Sequence, residues 1–200
     1  PKQYQNRNRV RLHQGQVVWL SIPVRHAGRF GQRINEVEID ATKPWARDHR
    51  RTLELNYRRA PFFDCYYPEF AALLQQEWRL LADYNLAVIR LCLRLLGIAT
   101  PVVIASELGV AGKASELIVD LCRKTGADTY LHGKHSLDYV DFALLRASGI
   151  RSRVQQFTAV PYRQTAPGFE PDLAILDLLF NCGDRSLELL RQGNAISEIP

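Results

Sequence analysis

Apolar residues recur along this chain with two different periods. Val10, Leu12, Val18, Leu20, Ile22 and Val24 alternate with polar positions, and His13-Gln14-Gly15 between them supplies a glycine-containing turn. That period of two predicts a β-hairpin with one buried face. Ile34 to Asp40 (INEVEID) alternates strictly and predicts another half-buried strand. Between them, His26 to Arg33 is glycine-rich and basic, lacks an apolar period, and reads as a loop.

The period then becomes helical. Thr42 with Pro44 just inside is a helix start signal, and a helix is expected over residues 45–59. Trp45, His49, Thr52, Leu53 and Asn56 share one face of it, while Arg47, Arg50, Arg51, Arg58 and Arg59 spread over the others. Pro61 and Pro68 punctuate an aromatic cluster from Phe62 to Phe70 that belongs in a core. A long helix is expected over 83–96, closed by Gly97. Farther on, Thr100 to Ala105 (TPVVIA) has the continuous apolar character of a strand buried on both faces. A helix over 113–125, a strand at 129–131, a helix over 136–147 capped by Ser136, and a strand over 150–157 complete the alternation. The fold class expected is therefore α/β: a small parallel sheet in a Rossmann-like β-α-β-α-β unit (about 100–157), preceded by a basic β-rich segment and helices. Residues 161–171 read as a proline-rich loop, and closing helices are expected at Asp172 and Asp184. We expect one domain over 1–200, made of a basic β-rich portion (1–42), a helical portion (43–97), the α/β unit (98–160), and a loop with closing helices (161–200).

Composition changes this picture little, and charge changes it more. At 200 residues, 46% apolar and 24% charged, the chain has ordinary globular values, which excludes disordered and collagen-like classes. The apolar stretch from Leu86 to Ile98 is interrupted by Arg90 and Arg94 and is too short to cross a bilayer, so no membrane span is expected. Cys65, Cys92, Cys122 and Cys182 form no CxxC pair, which points to free thiols, no structural zinc and a cytoplasmic location. The chain opens on Pro1 and contains no Met, so residues upstream are expected. Residues 1–60 carry 13 Lys and Arg against 5 Asp and Glu, a balance of +8, whereas the remainder carries −3. A basic leading third suits a phosphate-bearing partner, or else is a solvated face.

Two loops could carry chemistry if they lie beyond the carboxyl ends of parallel strands. In the first, Ser106, Glu107, Gly109, Gly112 and Lys113 place two glycines and a cation before a helix. Glu107 and Ala114 stand where a P-loop needs Gly and Ser or Thr, so only anion binding by backbone N–H groups remains. In the second, His132, Lys134, His135 and Ser136 could serve as general acid, base or phosphate clamp. Solvated loop residues, with Ser136 as a helix cap, are the plain alternative. No nucleophile elbow, dinucleotide fingerprint or zinc-protease motif occurs, and neither a metal nor a cofactor is expected.

Several segments, taken in order, resemble the WbqC-like family: Asn6-Arg7-Asn8-Arg9, Trp19 to Pro23, Ile34 to Asp40, Trp45, His49 and Tyr57 to Phe63. The likeness continues through Ser106 to Gly109, Gly126 to Leu131, and Leu176 to Asn181. Two family features depart. The opening QPxxxPxxGYF-like segment is absent before Pro1, and the glycine-rich SGxGGxxYLD-like loop reads HGKHSLDYVD at 132–141. The resemblance implies work on an activated amino sugar or aminoacyl intermediate in bacterial surface polysaccharide or specialised-metabolite biosynthesis.

Together these readings lead us to expect a transferase acting on a nucleotide-linked or thioester-linked substrate. Glu107 or His135 would supply acid–base chemistry. Arg7, Arg9 and Lys113 would neutralise phosphates, and Asn6 and Asn8 would orient polar groups. These groups are expected to converge on one hollow with the turns at 106–113 and 132–136. The alternative is a non-catalytic module that recognises a carrier protein through its basic face. RNA binding beside Tyr4, Trp45 and Tyr57 is a third reading, and nucleic acid is not the expected partner because no RNA module is present.

Overall fold

The computed structural model describes residues 4–29, 31–133, 136 and 138–199. The chain divides into two compact units, residues 1–99 with 161–189, and residues 100–160 with 190–200.

The first unit opens with the expected hairpin. Strands β1 (Arg7–Arg11) and β2 (Val17–Ser21) pair antiparallel with Val10 opposite Val18 and Arg9 opposite Trp19. The turn closes through the Gly15 N–H to the Leu12 carbonyl at 2.8 Å, with Gly15 at φ +96°, a conformation glycine adopts freely. The segment INEVEID departs from a continuous strand. Ile34–Glu36 form a 3₁₀ turn, and the extended residues that follow are wedged between two other segments. The Ile39 N–H donates to the Arg79 carbonyl and the Asp40 N–H to the Pro23 carbonyl, each at 2.9 Å. Alternation located the buried side chain, Ile39, but the pairing is two isolated bridges rather than a ladder.

Three helices follow, α1 (Trp45–Tyr57), α2 (Phe63–Gln75) and α3 (Leu81–Leu95). Helix α2 runs through Pro68, where the sequence suggested a break. Pro68, the sixth of the thirteen residues, removes one interior hydrogen bond, and the burial of Phe63, Tyr66, Phe70 and Leu74 on this helix offsets it. The aromatic cluster is core, as expected. It packs with Leu53 and Tyr57 of α1 and with Leu179 and Phe180 of α6 (Ile175–Cys182). That helix starts later than expected: Asp172 lies outside it with φ +56°. Helix α7 (Ser186–Gln192) follows, and the division between the units falls within it.

The second unit is a mixed α/β layer that differs from the expected one. Strand β3 (Thr129–Gly133) pairs parallel with β4 (Arg151–Phe157), joined through α5 (Phe142–Ala147), and β5 (Asn194–Glu198) adds to β4 antiparallel. Residues 100–104 have no regular structure, and Val102 and Val103 are 40% and 58% exposed. The expected β-α-β-α-β unit is thus a single β-α-β element with an antiparallel edge. Pro101 removes a ladder donor from the apolar run that imitated a first strand. Helix α4 (Ser115–Thr125) ends as expected at Gly126, φ +68°. Its Val119 and Cys122 pack with Val140, Leu145 and Ile150 in a small core. The cap of α5 is Asp141, whose carboxylate accepts from the Leu144 N–H at 2.9 Å, and not Ser136. Among the described residues no helix is long and apolar enough to cross a membrane.

Candidate functional site

The first unit contains a cavity of about 180 Å³ between the hairpin and helices α1, α2, α3 and α6. Its floor is apolar, formed by Val10, Leu20, Leu53, Phe70, Leu74 and Val88. Polar groups ring it: Asn6, Asn8, His49, Tyr84, Asn85 and Cys92. Strand alternation explains which candidates reach it. Asn8 shares the Val10 and Leu20 face of the hairpin, which covers the core, whereas Arg7 and Arg9 share the opposite face with Trp19. Arg7 borders the cavity, yet its guanidinium lies over the Trp19 ring, 4.4 Å from the centroid, and its buried Nε has no hydrogen-bond partner among the described residues.

Several of these polar groups are already committed to the fold. The Asn6 amide donates to the Ile22 carbonyl at 3.0 Å, and the Asn85 amide to the Gln5 carbonyl at 2.8 Å. Arg9 donates to the carbonyls of Pro171 and Asp172 at 2.9 to 3.2 Å and faces Glu170 at 3.8 Å, so it pins the 164–172 loop. Arg11 does the same through Gln164, Pro167 and Gly168.

His49 is the group that sequence reasoning overlooked. Its Nε2 lies 3.1 Å from the Ser21 carbonyl, which can only accept, so Nε2 carries the proton and Nδ1 is left as an acceptor. Burial pushes the imidazole below its ordinary pKa and keeps it neutral. Burial likewise raises the Cys92 thiol to about 11 and the Tyr84 phenol to about 12, so neither is an anionic nucleophile near neutrality. The available signal was a histidine on the apolar face of α1, one turn after Trp45.

Beside this cavity stands a buried polar network. The Asp177 carboxylate, 1% exposed, accepts from the hydroxyls of Tyr57 and Tyr162, both at 2.7 Å, and from the Gln164 amide at 3.3 Å. Burial still raises its pKa, despite three hydrogen bonds that favour the carboxylate. It lies on α6 inside the segment LDLLFN, a match to the family that carried no chemical signal of its own.

A second hollow of the first unit, about 680 Å³, is lined by Arg25, Lys43, Arg47 and Arg79 together with Trp45 and Trp78. An aromatic wall separates the two: Tyr84, of the apolar cavity, meets Trp45 at 5.3 Å and Trp78 at 5.7 Å, both edge to face.

The second unit carries the remaining candidates. Ser106, Glu107, Gly109, Gly112 and Lys113 are exposed on an irregular loop. Lys124 donates to the Leu108 carbonyl at 3.0 Å and to that of Gly109, and the Ala111 N–H donates to Asp120 at 2.8 Å. Gly112 stands at φ +91°, and a Cβ there would lie 2.9 Å from the Glu116 Cβ, so a packing reason for this glycine is evident. His132 lies within β3 rather than in a polar loop. It is 1% exposed between Tyr130 and Phe142, with no hydrogen bond to either ring nitrogen among the described residues. Ser136 is buried and donates to the Gly133 carbonyl at 2.6 Å. Lys134 and His135 lie outside the described residues. No group of three or more metal-ligating side chains occurs among the described residues.

The sequence model of the WbqC-like protein family matches residues 1–189. An uncharacterized protein of Mycobacterium tuberculosis is 33% identical over 192 residues, 95% of this chain and 82% of that relative. No solved structure matches the chain.

Proposed function

This chain belongs to the WbqC-like protein family, and from that premise we propose that it is a transferase acting on an activated acyl or aminoacyl intermediate. The observation that carries the reading is the apolar cavity with neutral His49 on its rim. Its floor offers an acyl chain the same dry contacts as a core, while the amide and imidazole rim suits the polar end of the substrate. A nucleotide-linked amino sugar is polar and charged along most of its length and matches that floor less well than an acyl chain, so the acyl arm is favoured over the sugar arm. The biosynthetic setting remains the one implied by the family: surface polysaccharide or specialised metabolites.

In the proposed reaction a nucleophilic acceptor adds to the carbonyl carbon of a thioester. His49 Nδ1 takes the proton from the acceptor, and the thiolate leaves and recovers that proton from the imidazolium. His49 thereby takes the role that the sequence suggested for Glu107 or His135. Calorimetric titration with the hexanoyl thioester of N-acetylcysteamine tests the reading. Saturable binding that Val88→Trp abolishes is expected. The absence of heat from the thioester, or binding unaffected by Val88→Trp in a folded variant, would overturn it.

One surface favours a second reading, a module that docks a carrier protein. Arg47 and Arg51 of α1 and Arg58 at its C-cap form an exposed stripe, with Leu55 59% exposed among them. Such a stripe complements an acidic helix with an apolar contact at its centre. An acyl carrier protein that binds, and is lost on Arg51→Glu with Arg58→Glu while the thioester still fails to bind, would establish this reading instead.

A further inference from the structure

The larger hollow of the first unit has a chemistry that the acyl cavity does not use. Its walls hold Arg25, Lys43, Arg47 and Arg79 against two carboxylates, Glu38 and Glu77. Glu38 alone faces three guanidinia: Arg29 at 2.8 Å, Arg79 at 3.3 Å and Arg25 at 3.7 Å. One carboxylate cannot neutralise three cations, so this side of the hollow keeps an excess of positive charge. Arg47 is paired with Asp48 at 3.2 Å, but Lys43 has no ion pair among the described residues. The lining residues sum to +2, which matches the charge of a diphosphate better than that of a neutral sugar or a cation. Two of the three tryptophans, Trp45 and Trp78, are half-buried in the same wall and present apolar surface beside the cations. A volume of about 680 Å³ lies within the range of small-molecule sites.

We propose that this hollow is a binding site for a diphosphate-bearing ligand, with Lys43, Arg25 and Arg79 holding the phosphates and the tryptophan wall meeting an attached nucleoside. Glu38 orients the arginines and stands where the ligand's own negative charge would compete for them. The site does not depend on the acyl reading, since its lining shares no residue with the apolar cavity.

Tryptophan fluorescence titration with inorganic pyrophosphate, ADP and UDP at low salt tests the proposal. All three should bind. Lys43→Glu, at an exposed residue with no ion pair among the described residues, should weaken binding at least tenfold, and Arg79→Gln should weaken it severalfold. Arg123→Glu, in the other unit, should change it by less than twofold. Nucleoside diphosphates binding at least fivefold more tightly than pyrophosphate would show that the base is read, and equal affinities would show that the diphosphate alone is; either sustains the site. Binding unchanged in Lys43→Glu and Arg79→Gln, an equal loss in Arg123→Glu, or a hundredfold preference for an RNA oligonucleotide would overturn it.

Discussion

Tyr84 and Trp45 meet edge to face with ring centroids 5.3 Å apart, and this contact separates the two hollows of the first unit. Tyr84 faces the cavity with the apolar floor, and Trp45 faces the cationic one. The ring of His49 lies 5.3 Å from Trp45 on the apolar side, so one turn of α1 contributes to both. Aromatic edge-to-face pairs are worth about 0.5–1.5 kcal/mol beyond their buried area, which holds such a wall in one geometry.

The Asp177 network should prove structural. Asp177→Asn keeps the size but leaves one acceptor oxygen for two tyrosine hydroxyls, and turns an NH₂ group towards one of them. The Tyr57 hydroxyl already accepts from the Arg11 N–H at 2.9 Å, so it adjusts poorly. A loss of about 1–3 kcal/mol is expected in urea unfolding, the usual cost of a mispaired buried polar group.

Acid should weaken the protein through His132. Burial holds its pKa below the unfolded value of about 6.5. Above that value both states are neutral and pH has no effect through this residue. As pH falls below it, the unfolded chain takes a proton that the folded one refuses, and stability declines by up to about 1.4 kcal/mol per pH unit until the folded pKa is reached. Urea midpoints at pH 7 and pH 5 should therefore differ less in His132→Leu than in the parent. His49, shifted in the same direction, is common to both proteins and leaves a residual slope.

Arg9 should act as a pin rather than a ligand contact. Arg9→Ala removes the donors to the Pro171 and Asp172 carbonyls. Faster amide exchange and proteolysis confined to residues 165–173 are expected, with thioester and pyrophosphate affinities unchanged. Weakened pyrophosphate binding would instead restore Arg9 to the phosphate role that its position in the basic segment suggested.

The elements set by local signals were legible in the sequence. Gly15 with its flanking alternation specified the hairpin, Thr42-Lys43-Pro44 the start of α1, and Gly97 and Gly126 the ends of α3 and α4. Features set by pairing partners were not. TPVVIA is apolar enough for a buried strand, but the sheet gained its third member from Asn194–Glu198, whose NAISE pattern alternates weakly. At the candidate site, Asn6, Arg7 and Asn8 all line the apolar cavity. Alternation along the strand sets Arg7 and Arg9 on the face opposite Asn8, and Arg9, unlike Arg7, is not among the cavity's lining residues. His49, Tyr84 and Trp78 come from three separate segments, and only tertiary packing brings them together.

The central claim is that the apolar cavity receives an acyl chain. Methyl-resolved NMR of the protein titrated with the hexanoyl thioester measures this most directly. Saturable shifts confined to Val10, Leu20, Leu53, Leu74 and Val88 are the predicted result. Shifts centred instead on Val119, Leu145 and Ile150, or none at saturating thioester, would contradict it.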